Sequence, residues 1–339
     1  MSVKKRLDLI KRNIFEIIGE EELEKLLKKK KKPVIYWGTA PTGRPHVGYF
    51  LPILKIADLL NAGFHVKILL ADLHGALDGT PWHILEHRHD YYAAAIPEMI
   101  KAIGSNAKDL EIVKGSEMQL KPEYMYDVLK MSSLVSVKDA NKAASEVVKL
   151  GDNPRLSGLI YPLMQAVDEQ YLGVDAQLGG TDQRKIMVLA RENLPKIGYD
   201  ARIEIMNELV PGLIGKKMSA SDTSSKIDLL DNSEIVKKKI NKADCIAGNS
   251  DNGLMAFLKY VIMTMKEDNK EKFVVERPKK YGGNLKYKTY KEIEKDFVSK
   301  KLHPLDLKNA VANEISNLLG KINVKKLQKL SKSAYEENY

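Results

Sequence analysis

The 339-residue chain carries 55 Lys and Arg against 45 Asp and Glu, a formal net charge of +10, with 44% hydrophobic residues and a single cysteine. That length suits a large body with a smaller appendage, and the basic surplus favours a polyanionic partner such as RNA. The lone Cys245 excludes a disulfide framework and a multi-cysteine zinc site, no apolar run reaches the roughly 20 residues of a membrane span, and the opening MSVKKRLDLIKRN lacks a signal core, so the expected setting is cytoplasmic with no membrane.

Residues 1–32 read as amphipathic helix, with Leu7, Ile10, Ile14, Ile17 and Ile18 and then Leu23, Leu26 and Leu27 at helical spacing. The segment ends in Lys28 to Lys32, a run better explained as a solvated face than as an RNA contact, and Pro33 follows. A short apolar strand, Val34-Ile35-Tyr36-Trp37, leads into a Gly/Pro/Thr loop and a helix from about Val47 to Ala62. A second strand, Val66 to Ala71, ends in Asp72-Leu73-His74, helix resumes from Ile84 to Ile103, and Leu110 to Val113 forms a third strand. Strands alternating with helices predict a Rossmann-like α/β body whose parallel sheet collects ligands at the carboxyl ends of its strands. After Leu230 the texture turns Lys-rich and helical, which predicts a catalytic body over residues 1–230 and a helical C-terminal domain over 231–339.

Three segments carry the chemistry. The first, Trp37-Gly38-Thr39-Ala40-Pro41-Thr42-Gly43-Arg44-Pro45-His46-Val47-Gly48-Tyr49, links strand to helix. Glycines permit close backbone approach, and a helix start offers free N–H groups to phosphate. His46 is expected in the first helical turn, aimed at the same place, with Gly48 leaving room for a flat base. The second, Tyr161-Pro162-Leu163-Met164-Gln165-Ala166-Val167-Asp168, sets a phenol, an amide and a carboxylate on one helical face, close in sequence to Gly179-Gly180-Thr181-Asp182-Gln183. Taken alone, that face is better explained as an ordinary solvated helix face. The third, Pro211 to Ser221, surrounds Lys216 and Lys217 with small residues, a composition that suits a loop able to close over a polyphosphate.

The first segment resembles the HIGH signature of class I aminoacyl-tRNA synthetases, spelled here His46-Val47-Gly48-Tyr49. The third resembles their KMSKS loop, spelled Lys217-Met218-Ser219-Ala220-Ser221. Alanine replaces the second lysine of that pattern, which leaves the charge to Lys216 and Lys217. The runs YPLMQAVDEQYLGVDAQLGGTDQRK, YWGTAPTGRPHVGYF, ILLADLHGALD and SSKIDLLD resemble the tyrosyl-tRNA synthetases of archaea and eukaryotes. The likeness continues through YGGNLKYKTY and HPLDLKNAV, covering nearly everything after residue 33.

The resemblance implies a tyrosine–tRNA ligase acting as a homodimer on L-tyrosine, ATP and tRNA(Tyr). Mg2+ would arrive with the ATP phosphates, since no carboxylate cage for a resident metal is visible. By the same resemblance Tyr36 and Asp168 grip the substrate hydroxyl, while Tyr161, Gln165 and Gln183 hold its amino end. Thr42, Gly48, Gly180, Asp182 and Met218 line the ATP site, and His46, Lys216 and Lys217 neutralise charge during catalysis. Arg184 faces the acceptor stem, and Tyr281, His303 and Asp306 match positions that read the anticodon. Without the resemblance, Arg184 would read as a surface ion pair, Tyr281 as core and His303-Pro304 as a helix start. Asp72 and His74 are expected as pocket wall. A tryptophanyl enzyme, which shares the fold, and a non-catalytic RNA-binding paralogue are the rival readings.

Overall fold

The computed structural model describes residues 1–148, 151, 153–209, 211–213 and 226–335. A six-stranded sheet is ordered β1-β6-β5-β2-β3-β4, with β1 Ile14–Ile18, β2 Val34–Thr39, β3 His65–Leu70, β4 Leu110–Lys114, β5 Ala176–Gly180 and β6 Ile203–Asn207. Strands β2 to β6 run parallel and β1 is antiparallel to β6. The chain runs outward from β2 through β3 to β4 and then returns to β5 on the other side of β2. The β2–β5 boundary is therefore the topological switch point, where ligands of such sheets bind.

In chain order the helices are α1 Val3–Lys11, α2 Glu20–Lys29, α3 Phe50–Asn61, α4 Asp72–Leu77, α5 Leu85–Ala102, α6 Gly115–Gln119, α7 Pro122–Leu134, α8 Val137–Ala144, α9 Leu156–Tyr171 and α10 Arg184–Asn193. Beyond β6 follow α11 Ser233–Lys242, α12 Gly253–Phe257, a stretch of wider π-helical turns over Leu258–Met263, and α13 Thr264–Asp268. After these come a hairpin of β7 Phe273–Val275 and β8 Leu285–Tyr287, then α14 Tyr290–Val298, α15 Pro304–Leu319 and α16 Val324–Tyr335. Among the described residues no helix is long and apolar enough to cross a membrane.

The sheet separates two apolar cores by its period-2 alternation. On β2, Ile35 and Trp37 join the core shared with α3, α5 and the C-terminal helices, whereas Tyr36 joins the opposite core with Tyr124, Met164 and Val167. The phenol singled out from sequence is thus a strand residue that points toward α9.

Three expectations need correction. Residues 1–32 are not one helix. Asn13, at φ 56°, and Gly19, at φ 91°, take left-handed backbone that no helix continues through, and the β-branched run between them becomes β1. Ile14, Ile17 and Ile18 fit a helical stripe and a strand equally well, and pairing with β6 decided the matter. His46 is not inside a helical turn: it caps a 3-10 turn, Val47–Tyr49, that precedes α3. The C-terminal part is not purely helical, since it carries the β7–β8 hairpin.

Candidate active site

A cavity of about 1260 Å³ opens at the carboxyl ends of β2 and β5. Its floor is the β2–β5 boundary, where Tyr36 pairs in register with Gln177 and Gln177 with Glu204. These three polar residues cross the sheet in a row on the face toward α9. Such a row in the middle of a parallel sheet is costly unless a ligand or water satisfies it.

The deep end is built around Asp168. Its side chain is 1% exposed, and Oδ1 accepts hydrogen bonds from Gln119 Nε2 and from Tyr124 Oη, both at 2.8 Å. Its other oxygen, Oδ2, is buried without a partner, as are Tyr36 Oη and His74 Nε2, the last lying 3.9 Å from Asp168 Oδ2. Gln119 Nε2 also approaches His74 Nδ1 at 3.2 Å, so Nδ1 accepts and the proton sits on Nε2. Tyr161 stacks edge-on against the His74 ring at 4.6 Å and lines the same space. Burial drives the titrations. The Asp168 carboxyl is pushed up to about 7 against the two hydrogen bonds that favour its ionised form. His74 is pulled down to about 4, and the Tyr36 phenol is raised well above its ordinary value by burial and by the nearby carboxyl groups of Glu169, Asp168 and Glu204.

Three unpaired polar atoms converging in one buried spot have a definite chemical complement. A group that both donates and accepts, such as a hydroxyl on an aromatic ring, would satisfy them. Leaving them unpaired costs about 1–3 kcal/mol each.

Toward the mouth, Gln165 Nε2 donates to Gln183 Oε1 at 3.0 Å, and both side chains line the cavity. Gly180 and Asp182 form the adjoining wall. A Cβ on Gly180 would meet the side chains of Asp182, at 2.5 Å from Oδ1, and Leu209, at 3.0 Å, so a larger residue here would push Asp182 aside. On the opposite wall stand Thr42, His46 and Gly48. His46 Nδ1 accepts from Gly48 N at 3.1 Å, which again puts the proton on Nε2. Burial and the nearby Lys226 lower this histidine to about 4, so it is a neutral donor at neutral pH.

The His46 loop is tied to residues that follow the Lys216–Lys217 segment in sequence. His46 and Asp228 form an antiparallel bridge, and Val47 N donates to Ile227 O at 2.9 Å. Lys226 Nζ donates to Arg44 O at 3.3 Å, and Arg44 Nε lies 3.0 Å from Asp228 Oδ2. Lys216, Lys217 and Met218 themselves lie outside the described residues.

The remaining predicted residues lie elsewhere. Arg184 is exposed at the start of α10 and forms two contacts with Glu16, at 2.7 and 3.0 Å. Tyr281 is 61% exposed in the turn between β7 and β8, under Lys280 Nζ at 4.9 Å. His303 caps α15, with Nδ1 accepting from Leu305 N, and Asp306 follows in the first turn. Arg277 joins these two regions by donating to Gly283 O at 3.0 Å and to Lys301 O at 3.3 Å. Lys30 and Lys32 of the lysine run pair with Asp175 and Asp109 at an exposed surface. His74 lines the cavity as expected, whereas Asp72 lies outside it and accepts from Ser116 N at 2.8 Å. One group of potential metal ligands, Glu86, His89 and Asp90, is found among the described residues, exposed on α5 and outside the cavity.

Sequence reasoning missed Gln119 and Tyr124, which fix Asp168, as well as Gln177, Glu169 and Glu204. A glutamate inside the apolar run Ile203-Glu204-Ile205-Met206 was the available signal for the last of these. It also missed Arg88 and Tyr335, which line the cavity beside Thr42.

The family described as tRNA synthetases class I (W and Y) matches residues 28–320. Cytoplasmic tyrosine–tRNA ligase of Danio rerio is 48% identical over 99% of this chain and 64% of its own length. The chain thus spans just under two thirds of that relative. Tyrosine–tRNA ligase of Haloarcula marismortui is 42% identical over 100% of this chain and 99% of its own. Among solved structures, tyrosyl-tRNA synthetase complexed with L-tyrosine from Archaeoglobus fulgidus superposes with a TM-score of 0.87 at 39% identity, covering 96% of this chain and 99% of that one.

Proposed function

The chain belongs to the tyrosyl-tRNA synthetases of class I, and from that membership we propose that it is a tyrosine–tRNA ligase. It joins L-tyrosine to ATP as tyrosyl-adenylate, releasing pyrophosphate, and then transfers the tyrosyl group to the 3′ end of tRNA(Tyr). The observation that carries the reading is the pair of buried, partnerless atoms Tyr36 Oη and Asp168 Oδ2 at the deep end of a cavity whose mouth is lined by the His46 loop. Asp168 Oδ2 accepts a hydrogen bond from the substrate phenol, and Tyr36 Oη donates to its oxygen. Phenylalanine would leave both unpaired. Sites built to bond a hydroxyl reject the analogue lacking it by about 10⁴–10⁵, a range for which tyrosyl-tRNA synthetase is itself the reference case rather than a result of this structure.

Tyr161, Gln165 and Gln183 hold the amino end, which leaves the substrate carboxylate facing the nucleotide. That carboxylate is already a nucleophile, so activation needs no general base. One of its oxygens attacks the α-phosphorus in line and the bond to pyrophosphate breaks. Catalysis is then positioning plus charge neutralisation. Neutral His46 donates through Nε2–H, Lys216 and Lys217 supply positive charge, and Thr42, Gly48, Gly180, Asp182 and Met218 hold ATP. Magnesium enters as part of the ATP substrate.

On the tRNA side, Arg184 meets the acceptor stem, exchanging Glu16 for phosphate or base. Tyr281, His303 and Asp306 read the anticodon, by stacking and by base-edge hydrogen bonds. This divides the chain into a catalytic body, residues 1–230, and an anticodon-binding unit, residues 231–339. A homodimer is supported by the exposed apolar side chains of Leu120, Met125, Tyr126, Leu129, Leu134 and Val137 on and around α7. The setting is cytoplasmic. ATP–pyrophosphate exchange tests the reading: it should require tyrosine and fail with tryptophan or phenylalanine. Exchange driven by tryptophan, or by no amino acid at all, would overturn it.

A further inference from the structure

The loop that carries Thr42 and Gly43 is held by side chains of α5 and α16, of which Arg88 and Tyr335 also line the cavity beside Thr42. Gly43 O accepts from Tyr92 Oη at 2.6 Å and from Tyr335 Oη at 3.2 Å, and Thr42 O accepts from Arg88 Nη1. The Arg88 guanidinium lies over the Tyr335 ring, 5.0 Å from its centre, and its Nε reaches Ala334 O at 3.4 Å. The other side of the Tyr335 ring environment is Tyr91, edge-on at 5.4 Å. Tyr92, Tyr91 and Arg88 belong to α5, inside the nucleotide-binding body. Tyr335 does not: it ends α16, the last helix of the C-terminal part, which packs along α5.

We propose that Tyr335 is a positioning residue for the ATP-binding loop, so that the C-terminal part of the chain sets the affinity of the catalytic body for ATP. This inference rests on the reading of the chain as a tyrosine–tRNA ligase. The physical argument is one of peptide geometry. In a trans peptide the carbonyl and the following N–H point in opposite directions. Holding the Thr42 and Gly43 carbonyls on the α5–α16 side turns the N–H groups of Gly43 and Arg44 away from that side, and both residues line the cavity. Successive N–H groups held in this way are anion donors. Tyr335 acts twice, once by its hydroxyl on Gly43 and once by its ring, which keeps Arg88 aimed at Thr42.

The test is a graded pair of variants, Tyr335→Phe and Tyr335→Ala, with Arg88→Lys beside them. Binding of a non-hydrolysable ATP analogue and of tyrosine is measured by calorimetry, and KM and kcat by tyrosine-dependent exchange. Tyr335→Phe, which removes one neutral hydrogen bond, should weaken the analogue roughly 2- to 10-fold. Tyr335→Ala, which also removes the seat of Arg88, should weaken it about tenfold or more. The KM for ATP should rise in parallel, while tyrosine affinity stays within about twofold, because the two binding ends are held by different elements. Analogue affinity unchanged in a folded Tyr335→Ala protein would overturn the proposal, and so would equal losses for ATP and tyrosine. If the alanine variant does not fold, Tyr335→Phe and Arg88→Lys decide by the same criterion. If the wild-type chain binds the analogue but shows no tyrosine-dependent exchange, the ligase reading falls while the binding series still judges Tyr335.

Discussion

Replacing Asp168 by Asn should stabilise the empty protein while destroying its grip on tyrosine. The carboxyl is raised from 3.8 to about 7 in the fold, chiefly by burial. The folded chain therefore binds this proton more tightly than the unfolded chain, and stability falls as pH rises between about 4 and 7. Above pH 7 the full cost is present. The span between the two values corresponds to roughly 4 kcal/mol, an upper figure for the penalty at pH 8. Asparagine removes the charge, and its carbonyl can still accept from Gln119 Nε2 and Tyr124 Oη, the two donors on Oδ1. Glu169, whose raised value owes part of its shift to Asp168, is relieved in the same direction. We expect a gain of about 2–4 kcal/mol at pH 8, shrinking toward zero near pH 4.

The assay is thermal melting of both proteins without ligand at pH 8 and pH 5, then again with saturating tyrosine at pH 8. Ligand at about 100 times its Kd adds roughly 2.7 kcal/mol to a protein that binds it. Tyrosine should therefore narrow the gap by raising the wild type alone. A lower melting temperature for Asp168→Asn at pH 8, or a gap of equal size at both pH values, would refute the claim that Asp168 is held charged at a cost for its ligand.

Tyr36→Phe should shrink the preference for tyrosine over phenylalanine by about 10- to 100-fold in exchange assays, the worth of a buried hydrogen-bond partner; an unchanged ratio removes Tyr36 from hydroxyl recognition. Lys217→Ala should lower the exchange rate with tyrosine affinity nearly intact, the pattern of an interaction made in the transition state; parallel losses would make Lys217 a pocket residue. Asp306→Ala should raise the KM for tRNA and relax preference at the first anticodon base by about 1–3 kcal/mol; exchange with the same preparation should be untouched. Leu129→Glu should halve the mass seen in sedimentation if the α7 surface is the dimer contact; an unchanged mass would place that contact elsewhere.

What was legible in the sequence was local. The loop before His46 announces itself by glycine and proline, and Tyr161, Gln165 and Asp168 share a helical face by spacing alone. Tyr36 could be placed on β2 from a four-residue apolar run. What was not legible depends on approach across the fold. Gln119 and Asp168 are 49 residues apart in the chain and 2.8 Å apart in space, and nothing in the local pattern of α6 marks Gln119 as a partner. Arg88 and Tyr335 are paired only because α16 lies along α5. The β1 error has a related origin. Its isoleucines satisfy two periodicities, and the choice was made by a partner strand, β6, that lies far along the chain.

The same dependence on approach brings segments distant in sequence to one wall of the cavity. The proposed lysine loop around Lys216 and Lys217 lies outside the described residues. The residues that follow it, Lys226 to Asp228, are stitched to the His46 loop by a bridge, a backbone hydrogen bond and the Arg44–Asp228 ion pair. Lys226 is 3% exposed, and burial lowers its ammonium below the ordinary lysine range. Its charge in turn helps to hold His46 neutral. Asp228 and Asp231 act against the lowering of Lys226, and the polyphosphate of the proposed ATP would add negative charge on the same side. The proposed tyrosine end differs in kind: there Tyr36 Oη and Asp168 Oδ2 are buried without partners, and a phenol is the group that would supply both.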